Sequence, residues 1–146
     1  MLVKLKIAPQ YVEPEIHVCT ASEDEKAKEL LSSVENLFGG SIFAYRDEEV
    51  FKIPYREVIK IYTENKNVYI ATGKGNFRIR ERLYEMENLL SENGFVRISN
   101  TDMVNVDKIE RLDTGITGTI IMKLSGGIEA YVSRRYVSKI KKALGI

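Results

Sequence analysis

From residue 41 to residue 132 the chain is cut into short β-like segments, each bounded by residues that turn a backbone. Apolar and polar side chains alternate, or β-branched and aromatic residues cluster, over residues 41–45, 50–53, 58–63, 68–72 and 76–79. The same pattern returns over residues 95–98, 103–106, 109–113, 119–124 and 128–132. Between them stand Asp47-Glu48-Glu49, Glu64-Asn65-Lys66-Asn67, Gly73-Lys74-Gly75, Gly115 with Gly118, and Gly126-Gly127. Asn and Gly tolerate the left-handed backbone of tight turns, so these read as hairpin connections. Pro54 to Glu57 reads as a single helical turn entering the third segment. So many short strands joined by such short links predict a mostly β, α+β fold built on antiparallel pairing.

Two helices interrupt the strands. Residues 80–93 place Leu83, Met86, Leu89 and Leu90 on one face, and Gly94 follows as a stop. Ser133 is positioned to cap a last helix, with Val137, Ile140 and Leu144 inward and the Arg and Lys residues outward.

The first forty residues have a different character. Residues 2–7 and 15–20 alternate and predict two strands, separated by a loop marked by Pro9 and Pro14. Ser22 with Glu25 forms a capping box, and Ala27, Leu30, Leu31, Val34, Leu37 and Phe38 recur at helical spacing before Gly39-Gly40. A small strand–strand–helix unit over residues 1–40 is therefore expected to precede a main domain over residues 41–146. Alone it is too small to be stable, so it is expected to pack on the rest of the chain or on a partner.

Charge sharpens this division. Net charge is only +1, which by itself favours no partner. Residues 1–45 carry 4 Lys/Arg against 7 Asp/Glu, whereas residues 46–146 carry 18 against 14. At the end, Arg134, Arg135, Lys139, Lys141 and Lys142 stand together without an acid. Such a cluster is either a solvated helix face or a patch that contacts phosphates.

Little in the chain suggests catalysis. His17, the sole histidine, falls in a predicted strand and reads as a structural or surface residue. With one histidine and one cysteine, Cys19, no zinc site of ordinary spacing can be written and no internal disulfide can form. Cys19 lies in an apolar stretch and is expected to be a buried thiol in a reducing compartment. Gly73-Lys74-Gly75 lacks the Lys-Ser/Thr ending and the following helix of a phosphate-binding loop. No metal or nucleotide cofactor is called for, and the protein is expected not to be an enzyme. The N-terminus lacks the apolar core of a secretion signal and no apolar run approaches the ~20 residues of a membrane span, so a cytoplasmic protein is expected.

Several blocks, in order, resemble the LytTR DNA-binding domain of bacterial transcription regulators. Lys52-Ile-Pro54-Tyr-Arg-Glu-Val58 resembles the family's entry segment, and Arg80-Glu-Arg-Leu83-Tyr-Glu-Met86 its helix. Phe95-Val-Arg97-Ile with Met103-Val-Asn105 resembles its most distinctive block, and Val132-Ser133-Arg134-Arg135-Tyr136 its closing block. The likeness runs from about residue 51 to residue 144. Ser99, Asn100 and Asp102 stand where the family usually has His, a basic residue and an aromatic.

The resemblance implies an elongated domain of layered antiparallel sheets that enters successive major grooves of duplex DNA with loops rather than with a recognition helix. Carried over by position, Asn100 lies in one contact loop, Arg135 in another at the start of the last helix, and Lys66 or Asn67 in a third. Arg135 suits two-pronged reading of a guanine edge. Arg134, Lys139 and Lys66 suit phosphates. Arg97 and Asn105, at strand ends, read as structural. Arginines at a helix N-terminus oppose the helix dipole, which makes sense if they face DNA. Residues 1–40 lie outside the family pattern and do not resemble the receiver domain that often precedes it, so a stand-alone regulator is expected. The family further implies action on paired direct-repeat half-sites as a homodimer. It also implies a membrane protein as regulatory partner. Residues 1–40 would then serve self-association or signal input. The competing reading is a protein-interaction module that kept the scaffold without reading bases.

Overall fold

The structure, a computed structural model, describes residues 4–91, 93–115 and 118–146, without the side chains of residues 35–38. The chain divides into two compact units, Met1–Phe38 and Gly39–Ile146.

In the first unit the alternating segments do not become strands. The described residues 4–24 contain turns and bends but no strand or helix. Leu5, Ile7 and Val12 are 87%, 86% and 93% exposed. Alternation specifies a strand only when a neighbouring ladder pairs its backbone and a surface covers its apolar face. Among the described residues of this unit no strand is formed and no residue is buried. Cys19 is likewise exposed rather than buried. The helix does form, as α1 (Glu25–Gly39). Its cap is Asp24, whose Oδ1 accepts the Ala27 N–H at 2.9 Å, and not Ser22. Ala27, Leu30 and Val34 are half-buried and Leu31 is exposed. Leu37 and Phe38 lie outside the described side chains.

In the second unit each β-like segment holds a strand. The strands β1 (Ser41–Arg46), β2 (Glu49–Pro54), β3 (Val58–Glu64), β4 (Asn67–Thr72) and β5 (Gly75–Ile79) precede α2 (Leu83–Leu90). There follow β6 (Phe95–Arg97), β7 (Asp102–Asn105), β8 (Ile109–Asp113), β9 (Ile120–Leu124), β10 (Ile128–Val132) and α3 (Val137–Leu144). Seven strands form one sheet in the order β2-β1-β5-β4-β3-β7-β6, and three form another in the order β10-β9-β8. Every pairing is antiparallel.

The sheets enclose two cores. In the first, Leu83, Met86 and Leu90 of α2 meet Ile61, Ile70, Phe77 and Met103 of the large sheet. In the second, the small sheet's Ile120, Met122 and Val132, with Ile140 of α3, meet Ile59, Ile98 and Val104. A bulge in β3 between Val58 and Lys60 sets this division. It lets Val58 and Ile61 serve the first core while Ile59 serves the second. Leu89, expected inside, is 56% exposed, and α2 is shorter at both ends than its helical pattern. The last helix also differs at its start. A 3-10 turn, Arg134–Tyr136, comes first, and Ser133 makes no side-chain cap bond. Gly145 closes α3 in the left-handed conformation at φ 69°.

Candidate nucleic-acid interface

Of the polar residues singled out from sequence, Lys66, Asn67 and Asn100 sit where strands reverse, Arg134 and Arg135 in the turn that links β10 to α3, and Lys139 in α3. The β3–β4 hairpin turns on two residues, Asn65 at φ 50° and Lys66 at φ 65°. Two successive left-handed residues match the twist of a two-residue hairpin, at a backbone cost glycine would avoid. Asn67, at the start of β4, donates from Nδ2 to the Asn65 carbonyl at 3.4 Å. Above the turn, Tyr62 and Tyr69 stack across the strands with centroids 5.6 Å apart. Burial, and then Glu64, Tyr69 and Asp102, hold the Tyr62 phenol above its ordinary pKa. It stays neutral through the physiological range and adds no negative charge here.

The loop between β6 and β7 lies beside this hairpin, because the Thr63 N–H donates to the Thr101 carbonyl at 2.8 Å. One side chain fixes the loop's path. Arg97 donates from Nε to the Ser99 carbonyl at 2.7 Å and from Nη2 to the Asn100 carbonyl at 2.6 Å. Its Nη1 reaches Glu87 of α2 at 2.5 Å. The Ser99 hydroxyl accepts the N–H groups of Thr101 and Asp102 at 3.2 and 3.0 Å. Asp102 accepts from Thr101 and pairs with Lys60 at 3.3 Å. So Ser99 and Asp102, which replace the family's His and aromatic, work inside the loop and hold its shape. Asn100 is left exposed at the tip.

The turn carrying Arg134 and Arg135 rests on that loop. The Ser133 N–H donates to the Ile98 carbonyl at 2.9 Å, and the Tyr136 hydroxyl donates to Asn100 Oδ1 at 3.4 Å. Both arginines are exposed, and Lys139 is exposed on α3. The fold therefore brings Asn100 and the Arg134–Arg135 turn into direct contact, with the Lys66 hairpin alongside. Lys139 lies four residues beyond Arg135, in α3, which follows the turn directly. None of Lys66, Arg134, Arg135 and Lys139 is ion-paired to a described residue. Tyr136 was not singled out from sequence, although it stands in the closing block; its link to Asn100 shows only in three dimensions.

Arg97 and Asn105 are structural, as their strand-end positions suggest. Asn105 is 4% exposed, donates to the Val58 carbonyl at 2.9 Å and accepts the Asp107 N–H at 3.1 Å. His17 is exposed and meets Glu15 at 2.7 Å. Among the described residues no cluster of His, Cys, Asp and Glu is arranged to hold a metal ion, and no helix is long and apolar enough to cross a membrane.

A mostly antiparallel, two-sheet domain with polar loops gathered at strand ends is the architecture of the LytTR class. The chain belongs to the LytTr DNA-binding domain family, whose model matches residues 48–145. Its similarity to whole relatives extends further. It is 32% identical to an "Uncharacterized HTH-type transcriptional regulator" of Staphylococcus aureus (strain NCTC 8325 / PS 47), over 100% of this chain and 99% of the relative. A relative of the same description in strain MRSA252 is 31% identical over the same shares. A solved LytTr DNA-binding domain from Bacillus cereus superposes with a TM-score of 0.69 at 23% identity, covering 73% of this chain and 97% of that one. That likeness shows the fold. The relatives' names carry the term HTH, yet among the described residues α2 and α3 are separated by five strands, β6 to β10.

Proposed function

We propose that the protein is a transcription regulator that binds duplex DNA sequence-specifically, entering successive major grooves with loops. The observation that carries this reading is the union of Asn100 with the Arg134–Arg135 turn beside the Lys66 hairpin, all exposed and none ion-paired to a described residue. An exposed cation without a carboxylate partner is available to displace counterions from a polyanion. Arg135 reads a guanine edge, Asn100 and Asn67 donate and accept at bases or phosphates, and Arg134, Lys139 and Lys66 position the backbone. No step of this function calls for a metal or nucleotide cofactor, or for catalysis.

Two protomers bind together on paired direct-repeat half-sites, in the cytoplasm, and a membrane protein serves as regulatory partner. Residues 1–40 supply self-association or signal input. That role is supported by the exposed Leu5, Ile7, Val12 and Ile16 and by the absence of any buried residue among the described ones of that unit. A chain beginning at Ser41 tests it. Unchanged affinity and unchanged cooperativity on a two-site duplex would remove dimerisation from the N-terminal unit.

The decisive experiment is selection of binding duplexes from a random pool, run for wild type and Arg135→Ala at physiological salt. Wild type should enrich a repeated motif, and the variant should lose discrimination at one position of it, by about 1–3 kcal/mol. If wild type enriches nothing, the family likeness reports a scaffold used for protein contacts instead.

A further inference from the structure

The segment that joins β5 to α2 carries two arginines that sequence periodicity assigns to a helix. The helix begins only at Leu83, which leaves Arg80–Arg82 as a non-helical link with Arg82 extended at φ −82° and ψ 158°. The register of β5 fixes where this link lies. Ile79 pairs with Val68, so Arg80 stands level with Asn67, the residue that follows the Lys66 turn. In the sheet order, β5 is the neighbour of β4 on the side away from β3 and β7. The link therefore continues the row formed by the Asn100 loop and the Lys66 hairpin, one strand further out and at the same end of the strands.

The three residues of the link divide their charges. Arg80 and Arg82 are exposed, and neither is ion-paired to a described residue. The Arg80 guanidinium lies over the Tyr45 ring, 4.7 Å from its centroid, which orders it without neutralising it. Glu81 turns the other way. Its Oε2 is buried without a hydrogen-bond partner among the described residues. Burial, and then the nearby Glu81 carboxylate, hold the Tyr55 phenol above its ordinary pKa. The link thus presents two cations outward while its one anion faces Tyr55.

We propose that Arg80 and Arg82 bind duplex-DNA phosphates just beyond the contact of the Lys66 hairpin, with Tyr45 as the residue that positions Arg80. This rests on the DNA-binding reading above. Contacts of this kind add affinity and fix register without reading sequence.

The test uses the full chain, the duplex enriched by wild type and an unrelated duplex, with affinity followed across a salt series. The variants are Arg80→Gln, Arg82→Gln and Arg80→Lys, with Lys74→Gln in the β4–β5 turn as the control at the opposite strand ends. Unfolding midpoints establish that each variant is folded. Each Gln variant should lower the slope of log affinity against log salt by about 0.9. It should weaken both duplexes by the same factor and leave the enriched motif unchanged. Arg80→Lys should keep the wild-type slope, and so should Lys74→Gln. If the Gln variants keep the wild-type slope while wild type still binds its enriched duplex, the phosphate contact is wrong and the regulator reading stands. If a Gln variant changes the motif, the residue reads bases and the proposal fails in its assignment. If wild type binds no duplex at all, both readings fall together.

Discussion

The strands of the large sheet end in two sets of turns that share a backbone and differ in chemistry. At one end the β3–β4 turn uses Asn65 and Lys66, both left-handed. At the other the β1–β2 turn uses Asp47 and Glu48, left-handed at φ 50° and 66°. Neither turn contains glycine, so hairpin geometry alone does not separate them. What separates them is the use of arginine. At the second end Arg46 is consumed internally: it donates to the Lys74 carbonyl at 2.9 Å and lies over Phe77, 4.1 Å from the ring centroid. The acids Asp47, Glu48 and Glu49 remain exposed there. At the first end Arg97 is the consumed arginine, and the exposed side chains include Asn100, Arg134, Arg135 and Lys66, with Glu64 as an exposed acid beside them. A single arginine pins the loops at each end, and what is left over decides which end suits a polyanion.

The comparison breaks most readily at Arg97. Replacing it with Met removes hydrogen bonds to the Ser99 and Asn100 carbonyls and the pair with Glu87. The Glu87 contact counts least, since that carboxylate is partly exposed. A loss of about 2–3 kcal/mol in urea unfolding is expected, because charge-assisted bonds to a partly buried loop are involved. The loop would also lose the geometry that presents Asn100, so sequence discrimination should weaken by more than the stability loss alone explains. Wild-type discrimination in the folded variant would mean that Asn100 needs no such support.

Arg46→Met asks the same question at the other end, with a smaller effect. One carbonyl bond and the stacking on Phe77 and Phe51 are lost. Unfolding should become easier by about 1–2 kcal/mol. DNA affinity, measured per folded molecule, should not change. A drop in affinity as large as that of Arg97→Met would erase the distinction between the ends.

These assignments were legible in the sequence only in part, for physical reasons. The strands of the second unit could be read because alternation coincided with turn residues and each strand found a neighbour. Residues 4–7 and 15–20 carry similar alternation without a neighbour, and pairing partners are not written in local sequence. Ser22 and Asp24 are both competent caps; the bond from Ala27 selects Asp24. The contact between Asn100 and Tyr136 joins residues 36 positions apart. The family blocks pointed to both segments, but the two belong to different sheets and meet through the packing of the second core and the bond from the Ser133 N–H to the Ile98 carbonyl. Arg80-Glu81-Arg82 was hidden because these residue types favour helix, and their place was decided by where β5 ends. Arg46 and Arg97 are partly buried with backbone carbonyls within reach, whereas Arg80 and Arg135 are exposed, and local sequence does not write that difference.

The finest cut between the two ends uses the turns themselves. Lys66 and Glu48 hold equivalent left-handed positions, which a side chain occupies at a cost and glycine occupies freely. Lys66→Gly and Glu48→Gly should each raise stability by up to about 1 kcal/mol, the relieved strain being offset in part by the greater entropy of an unfolded glycine. Thermal unfolding would show both gains. Their effects on DNA must then part. Lys66→Gly removes a cation beside the Asn100 loop, so the salt slope should fall by about 0.9 while the protein becomes more stable. Glu48→Gly removes an anion at the far strand ends and should leave affinity unchanged. A gain in stability accompanied by a loss of binding cannot be ascribed to damaged folding, so this pair separates the chemistry of the loop from its architecture. If both variants bind DNA as wild type does, the hairpin is a turn and nothing more, and the interface must be sought around Asn100 and Arg135 alone.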